Sequence, residues 1–573
     1  MFRATSIGSE ETLPTLAELT QANYERDIEM GAGTERSQLR SRHQRGSLPS
    51  NYGGTPIPII IHYRYPRAVY FILATKFFEA FAANGIRTVL ALYLRDDLNF
   101  TESFSTIMLH IFNFFGQFCP IFGAILADSC YGNVRTISGF CFLYAFGWVF
   151  LTLTSMPSVG VPMALLVSIA LLFIAVGNGS IRACITSIGA LQFKMPEQAV
   201  HLAEYFSFYY FVYYFGIFLS KILPPLVRVN TQCFDKPECY PAVFGTLGAA
   251  FLVAWVIFLI GKFFYKPEKV SDDNVLFKFY GCIRTALLEK WRRRKSEKRC
   301  SYWLHNAIGP YDEEFVNDVS KVLRITKLFI PLPFYFALLA QQDSSWTFQA
   351  TMMNTTFLGV NIQPDQFKAV GPIFLFILIP LCQYVTTPLL KRAFNWELQP
   401  LQSVAVGGIC SIGAYICAGV LQEHIANSPS QTVNIAWQLP QFLLLMLAEL
   451  LLSIPGLQFA FTQAPSSMKS VVTAAWFLNN AFGNLIVVIV TELQFLNSQT
   501  AGYFFYAVVM MVCIIIFGML AFEYALHEKT GSFYARGCGL QTPKEQDRRP
   551  LLNFQRDLDT DDLPSGSSRS ASV

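Results

Sequence analysis

The sequence predicts an all-α membrane protein whose twelve transmembrane helices form two six-helix bundles. Three observations predict it. Hydrophobic residues make up 53% of the 573 and charged ones 14%, where a soluble domain carries about one-quarter charged residues. Apolar stretches long enough to span a bilayer recur along the chain between short polar turns. A long basic interruption at 265–324 divides those stretches into six and six. The 53 Phe residues suit a surface that faces lipid.

Residues 1–65 are polar, lack an apolar period and are expected to form a disordered cytoplasmic tail. Arg36, Arg40, Arg42, Arg45, Arg64 and Arg67 place that end inside by the positive-inside rule. No cleavable signal peptide is expected. The N-terminal bundle, 66–264, is expected to hold spans at about 70–94, 104–127, 136–154, 161–191, 205–223 and 241–264. The loop after the first span carries the sequon Asn99-Phe100-Thr101, which makes Asn99 a candidate glycosylation site on the outside. The 265–324 link contains the run WRRRKSEKR, the densest positive charge in the chain. Such a run beside a bilayer reads as a cytoplasmic segment facing lipid headgroups; binding nucleic acid would need a folded reader that the link lacks.

The C-terminal bundle, 325–526, is expected to hold spans at about 325–345, 367–390, 400–421, 437–462, 470–493 and 501–526. Its first outer loop carries a second sequon, at Asn354. Residues 527–573 are expected to be a second disordered cytoplasmic tail, and the stretch from Asp547 to Leu552 fits an acidic dileucine endosomal signal. The plasma membrane is the first expectation for its location; that motif points to the alternative, an endosomal or lysosomal membrane. Most of the thirteen Cys lie in apolar stretches, where a free thiol behaves as a small hydrophobe. Cys233 and Cys239 lie in a polar loop and are spaced for a local disulfide if that loop faces outside.

Charges inside the spans carry the functional reading. The first span holds Lys76, Glu79 and Arg87. Each such group costs about 2.5–3.5 kcal/mol at membrane depth, so three on one helix are not expected to face lipid. Lys76 and Glu79 (i, i+3) are neighbours on one face, and Arg87 lies about two turns further on. One reading is a pair that merely holds two helices together. The other is a face lining a watery cavity through which something charged moves. His110, Arg182, Arg324 and Glu449 add to the inventory. Bases and acids on opposite halves suit a zwitterion with separated ends, its ammonium on a carboxylate and its carboxylate on Arg. Structural readings stand beside these: Arg182 is flanked by small residues that permit close packing, and Glu449 could be half of an internal ion pair. His110 could shuttle a proton or be a hydrogen-bonded packing residue. No metal-ligand spacing, nucleophile elbow or phosphate-cradling loop is present, so neither an enzyme nor a cofactor is expected.

Twelve spans, both tails inside and a long link between two sixes resemble the major facilitator superfamily, whose halves rock about a midplane site. The inner turn GAILADSCYG is acidic and bounded by Gly. Asp128 there can cap a helix end or pair with Arg135.

Longer blocks resemble the proton-coupled oligopeptide transporter (POT/PTR) family, in particular its animal members. They are GIRTVLALYL (85–94), HIFNFFGQFCPIFGAILADSCYG (110–132), GNGSIRACITSIGALQF (177–193), IPLPFYFALLAQQDSSWTFQA (330–350), IQPDQF (362–367) and GLQFAFTQAPSSMKSVV (456–472). The resemblance implies substrate contacts by Arg87, Arg182, Phe336, Glu449 and Trp476, with Glu449 receiving the peptide amino terminus. It implies proton coupling through Glu79 and His110 and places Arg324 at the family's seventh-span Arg; Lys76 and Asp128, read from their own positions, join Arg324 as candidates for gating or ion pairing. It implies a monomeric secondary active transporter that carries di- or tripeptides or related small zwitterions with protons, by alternating access and without a cofactor.

The chain departs from the family's pattern where coupling resides. In the first-span ExxERFxYYG motif the first Glu is Lys76, the Arg is Ala80 and both Tyr are gone. The fifth-span FYxxINxGS reads YYFVYYFGI (209–217), the seventh-span Trp is Phe336 and the acid four residues later is Ala340. The alternatives to a coupled carrier are therefore a carrier with altered coupling or substrate, or a ligand sensor that does not transport.

Overall fold

A computed structural model describes residues 65–156, 163–194, 198–234, 236–266, 275–292, 302–357, 359–394, 399–465, 468–493 and 498–530. The expected tails, apart from the last helical turns, lie outside these residues, as do the dileucine-type stretch and most of the basic run. The chain divides into two compact units. The larger comprises Met1–Gly281 with Asn317–Tyr524, and the smaller Cys282–Val316 with Ala525–Val573. In the smaller unit a short 3-10 turn at Trp303–Ala307 is followed by Gly309, whose φ of +121° suits glycine.

The first half of the larger unit begins with α1, Arg67–Leu92, which continues as a π-turn at Tyr93–Asp97. Thr101 caps α2, Glu102–Phe118, by accepting a bond from the Phe104 amide. Pro120, which has no amide hydrogen to lose, opens α3, Pro120–Leu126. A π-turn at Ala127–Tyr131 closes on Gly132 at φ +77°, the backbone freedom that the sequence assigned to the glycine of this turn. Then come α4 (Asn133–Thr154), α5 (Met163–Ala190), α6 (Ala199–Asn230) and α7 (Tyr240–Gly261); α8 (Val275–Arg292) begins in this unit, and its residues from Cys282 on belong to the smaller one.

The second half has α9 (Glu313–Phe329), α10 (Leu332–Ala340), α11 (Ser345–Thr351), α12 (Val370–Leu381), α13 (Thr387–Phe394), α14 (Pro400–Ala426), α15 (Leu439–Gln463), α16 (Lys469–Glu492) and α17 (Gln499–Thr530). A two-stranded hairpin pairs Thr356–Phe357 with Val360–Asn361.

Among the described residues ten helices are long and apolar enough to cross a membrane, or eleven if one bent pair is a single span. The bent pair stands at the expected seventh span. It starts at Glu313 rather than near 325, bends by 49° where Pro331 interrupts the ladder, and runs on to Thr351. The expected eighth span is the shorter apolar helix Gln366–Leu381; Pro380 and a π-turn at Cys382–Thr386 separate it from α13. The 265–324 stretch is likewise not one irregular link, since α8 and the start of α9 lie within it.

Packing follows small residues. A Cβ on Gly179 would lie 2.8 Å from the Gly116 carbonyl oxygen, and Gly123 sits against the Ser180 main chain, so α5 approaches α2 and α3 backbone to backbone. Tyr144, Trp148 and Phe251 fill the core between α4 and α7. On α17, Val508, Val512, Ile515, Met519 and Phe522 are exposed at helical spacing, the apolar face that a bilayer covers. Cys233 and Cys239 are joined in a disulfide in the loop before α7.

Candidate functional site

Three helices of the first half bring its charges together. On α1, Lys76 Nζ donates to Glu79 Oε2 at 2.7 Å, and both side chains are only 2% exposed. The ammonium also lies over the Tyr213 ring at 4.8 Å and the Tyr209 ring at 5.7 Å, both on α6. Tyr209 in turn shares a 2.8 Å hydrogen bond with Thr186 of α5. Further along α1, Arg87 Nη1 donates to Asn84 Oδ1 at 3.3 Å. From α5, Arg182 Nη1 donates to Gln117 Oε1 of α2 at 2.9 Å, and the side chain is half-buried. The small residues beside Arg182 do pack closely, yet they leave the guanidinium aimed at a polar partner.

His110 is fully buried on α2 and reaches across to the second half. Its Nδ1 lies 2.8 Å from Asn484 Oδ1, and its Nε2 lies 2.9 Å from Ser344 Oγ. Asn484 Nδ2 donates to the Asn480 carbonyl and side chain, which turns Oδ1 toward the histidine and makes Nδ1 the donor. Nε2 then accepts from the Ser344 hydroxyl in the neutral ring, or donates to it once protonated. The same geometry therefore serves both charge states.

In the second half, Glu449 is half-buried on α15 and makes no hydrogen bond or ion pair among the described residues. Lys221 and Tyr214 of α6 and Tyr335 of α10 are among its neighbours. Pro455, one turn and a half beyond, cannot continue the ladder to Leu451, whose carbonyl accepts instead from Ser403 Oγ at 2.7 Å. Phe336 and Trp476 meet edge to face at 5.9 Å, and Phe329 closes on the same indole at 5.4 Å. Both expected substrate residues are thus buried in helix packing in this conformation. Arg324, in the α9 arm of the bent pair, is exposed, and its Nη2 bonds Ser320 Oγ one turn back. Asp128 lies in the turn after α3, and its side chain falls outside the described residues. Asn99 is exposed, while Asn354 is partly buried and bonded through its main chain to Val433 and Ile435.

Ties between the halves gather toward the end that carries Asn99. Arg228 Nη2 donates to Asp365 Oδ1 at 2.9 Å, and its Nη1 donates to Glu238 at 3.1 Å. Buried Lys368 donates to the Thr88 carbonyl at 3.2 Å and lies 3.7 Å from the Asp343 carboxylate. Arg95 donates to Thr351 at 3.1 Å, and Gln499 to Glu102 at 2.8 Å.

The POT family model (PTR2) matches residues 134–504. The chain belongs to the POT family. It is 25% identical to peptide transporter family 1 of Drosophila melanogaster over 83% of this chain and 89% of that one. It is 26% identical to solute carrier family 15 member 1 of Oryctolagus cuniculus over 86% of this chain and 97% of that one. Its fold matches the in meso crystal structure of the POT family transporter PepTSo with a TM-score of 0.71, at 23% identity over 81% of this chain and 99% of that one.

Within this POT family scaffold, several charged groups were passed over in the sequence. Lys221 and Lys368 carry the same signal that drew attention to Lys76, a cation inside or at the edge of an apolar run. Arg228, Glu238 and Asp365 offered none, because charges near span ends look like ordinary loop residues until the fold brings them together.

Proposed function

We propose that this chain is a proton-coupled carrier of di- and tripeptides or related small zwitterions, working by alternating access between its halves. One observation carries the reading. Arg87 and Arg182 in the first half are held by neutral amides, and Glu449 in the second half has no ion-pair partner among the described residues. A peptide would place its carboxylate at the two guanidiniums and its ammonium at Glu449, forming charge-assisted bonds at both ends. The names of the Drosophila and Caenorhabditis relatives, both peptide transporters, support the substrate class.

His110 is the main group assigned to the proton; Glu79, the second candidate, is held in an ion pair by Lys76. We read the tied end as the outer, closed one, so that Asn99 and Asn354 carry glycans and the 265–324 stretch faces the cytosol. The proton gradient supplies the driving force without a cofactor, the monomer is the working unit, and the plasma membrane is its place. Uptake of labelled dipeptide into expressing cells at external pH 5.5 and 7.4 tests this. Saturable uptake, inhibited by unlabelled dipeptides and greater on the acid side, is the expected result; no uptake at either pH by protein present at the surface would overturn it.

A further inference from the structure

The charges of the first half do not balance. Glu79, the acid on the inner face of α1, is already taken by Lys76 at 2.7 Å. Arg87 and Arg182 meet only the amides of Asn84 and Gln117, and neither pairs with a carboxylate among the described residues. Arg87 is 9% exposed, and its Nε and Nη2 are buried without a hydrogen-bond partner. Buried N–H groups of a cation are costly to leave unmet. The two guanidiniums converge on one stretch of α2. Gln117, which holds Arg182, follows Gly116, and a Cβ on Gly116 would lie 3.5 Å from Arg87 Nη2. Within the first half of the site, Lys76, Arg87 and Arg182 stand against Glu79 alone, while Asp343 of the second half is engaged by Lys368 at 3.7 Å; one peptide carboxylate then neutralises only one of the two guanidiniums.

We propose that the site selects peptides whose last residue is Asp or Glu, so that a side-chain carboxylate joins the terminal one between Arg87 and Arg182. The proposal rests on assigning these two residues to the carboxylate end of the peptide. The side-chain carboxylate supplies the acceptors that Arg87 lacks and cancels the second charge, which a neutral side chain of the same shape cannot do. Discrimination by a site with buried, unmet polar groups is larger than discrimination by shape alone.

Binding to the purified full-length protein at pH 7.4 tests this with Ala-Glu, its neutral isostere Ala-Gln, and Ala-Ala, read by thermal stabilisation and by competition. Ala-Glu is expected to bind about tenfold tighter than Ala-Gln. Gln117→Glu gives Arg182 an internal carboxylate at the position of its present amide partner, and should bring that ratio close to one while Ala-Ala still binds. Arg182→Gln should also bring the ratio close to one, with all three peptides bound more weakly, and Arg182→Lys should keep most of the preference. Equal affinities for Ala-Glu and Ala-Gln would overturn the preference and leave the peptide reading standing. If none of the three peptides binds, the peptide reading itself falls. A tenfold ratio that survives both Gln117→Glu and Arg182→Gln would overturn the assignment to these residues.

Discussion

Arg228 of α6 and Asp365, in the turn ahead of α12, form a 2.9 Å ion pair between the two halves, with side chains only 4% and 0% exposed. Removing Arg228 strands the buried Asp365, at a cost of about 3–5 kcal/mol, whereas removing Asp365 leaves Arg228 its second partner, Glu238 at 3.1 Å, and should cost less. Arg228→Gln and Asp365→Asn should each lower the unfolding temperature and the rate of uptake. The exchanged double variant, Arg228→Asp with Asp365→Arg, should recover part of both. Single variants as stable and active as the unmodified protein would show that the pair does not hold this conformation.

Glu449→Gln should bind ligands with a free amino terminus more weakly while keeping the fold, because no neighbouring ion pair depends on it. A lost desolvated charge pair costs about 2–5 kcal/mol, well over tenfold in affinity. The useful comparison is a dipeptide against its N-acetylated form. The variant should lose the difference between them. If it discriminates as well as the unmodified protein, Glu449 is not the ammonium site.

The parts of the fold that were legible in the sequence follow from strong, local signals. Apolar runs located the spans, and a charge inside such a run was enough to pick out Lys76, Glu79, Arg87, His110, Arg182 and Glu449. The i, i+3 spacing of Lys76 and Glu79 gave a contact that the helix then closes at 2.7 Å. Less legible were breaks set by Pro331 and Pro380, which divide two expected spans into bent or shortened pieces. Contacts between distant segments were not legible at all. Arg228 with Asp365, and His110 with Asn484 and Ser344, depend on how the halves meet, and no periodicity in one helix encodes that.

The topology makes a separate prediction. Glycan should be carried at Asn99 and Asn354, and replacing both by Gln should remove the shift in mass that a glycosidase produces. In sealed, right-side-out vesicles the 265–324 stretch should resist external protease and become cleavable once the membrane is opened. Cleavage there from the outside would reverse the orientation proposed for every span.

The buried Lys76–Glu79 pair predicts a weaker dependence of uptake on pH than a carrier whose first span has two acids and an Arg on the same face. An adjacent cation favours the ionised carboxylate. Here the cation lies 2.7 Å from Glu79 and is itself held over the rings of Tyr209 and Tyr213. To exchange a proton with either side, Glu79 would have to give up this ion pair. Acid then has less to drive, and His110, which can donate or accept at Ser344 without moving, is left as the main proton-linked group. Lys76→Glu puts a second acid in place of the counter-charge, so a proton becomes necessary to relieve two like charges three residues apart. Uptake by this variant should rise more steeply as pH falls from about 8 to about 5.5, the range in which a carboxylate raised by a like-charged neighbour takes up a proton. His110→Gln should flatten the profile of the unmodified protein. If the Lys–Glu pair only packs α1 against α6, Lys76→Glu will lower the amount of folded protein at the surface and leave the shape of the profile alone. Measuring all three profiles per molecule at the surface separates the two cases, and an unmodified protein already driven steeply by acid, with a slope that Lys76→Glu does not change, would remove the pair from the coupling mechanism.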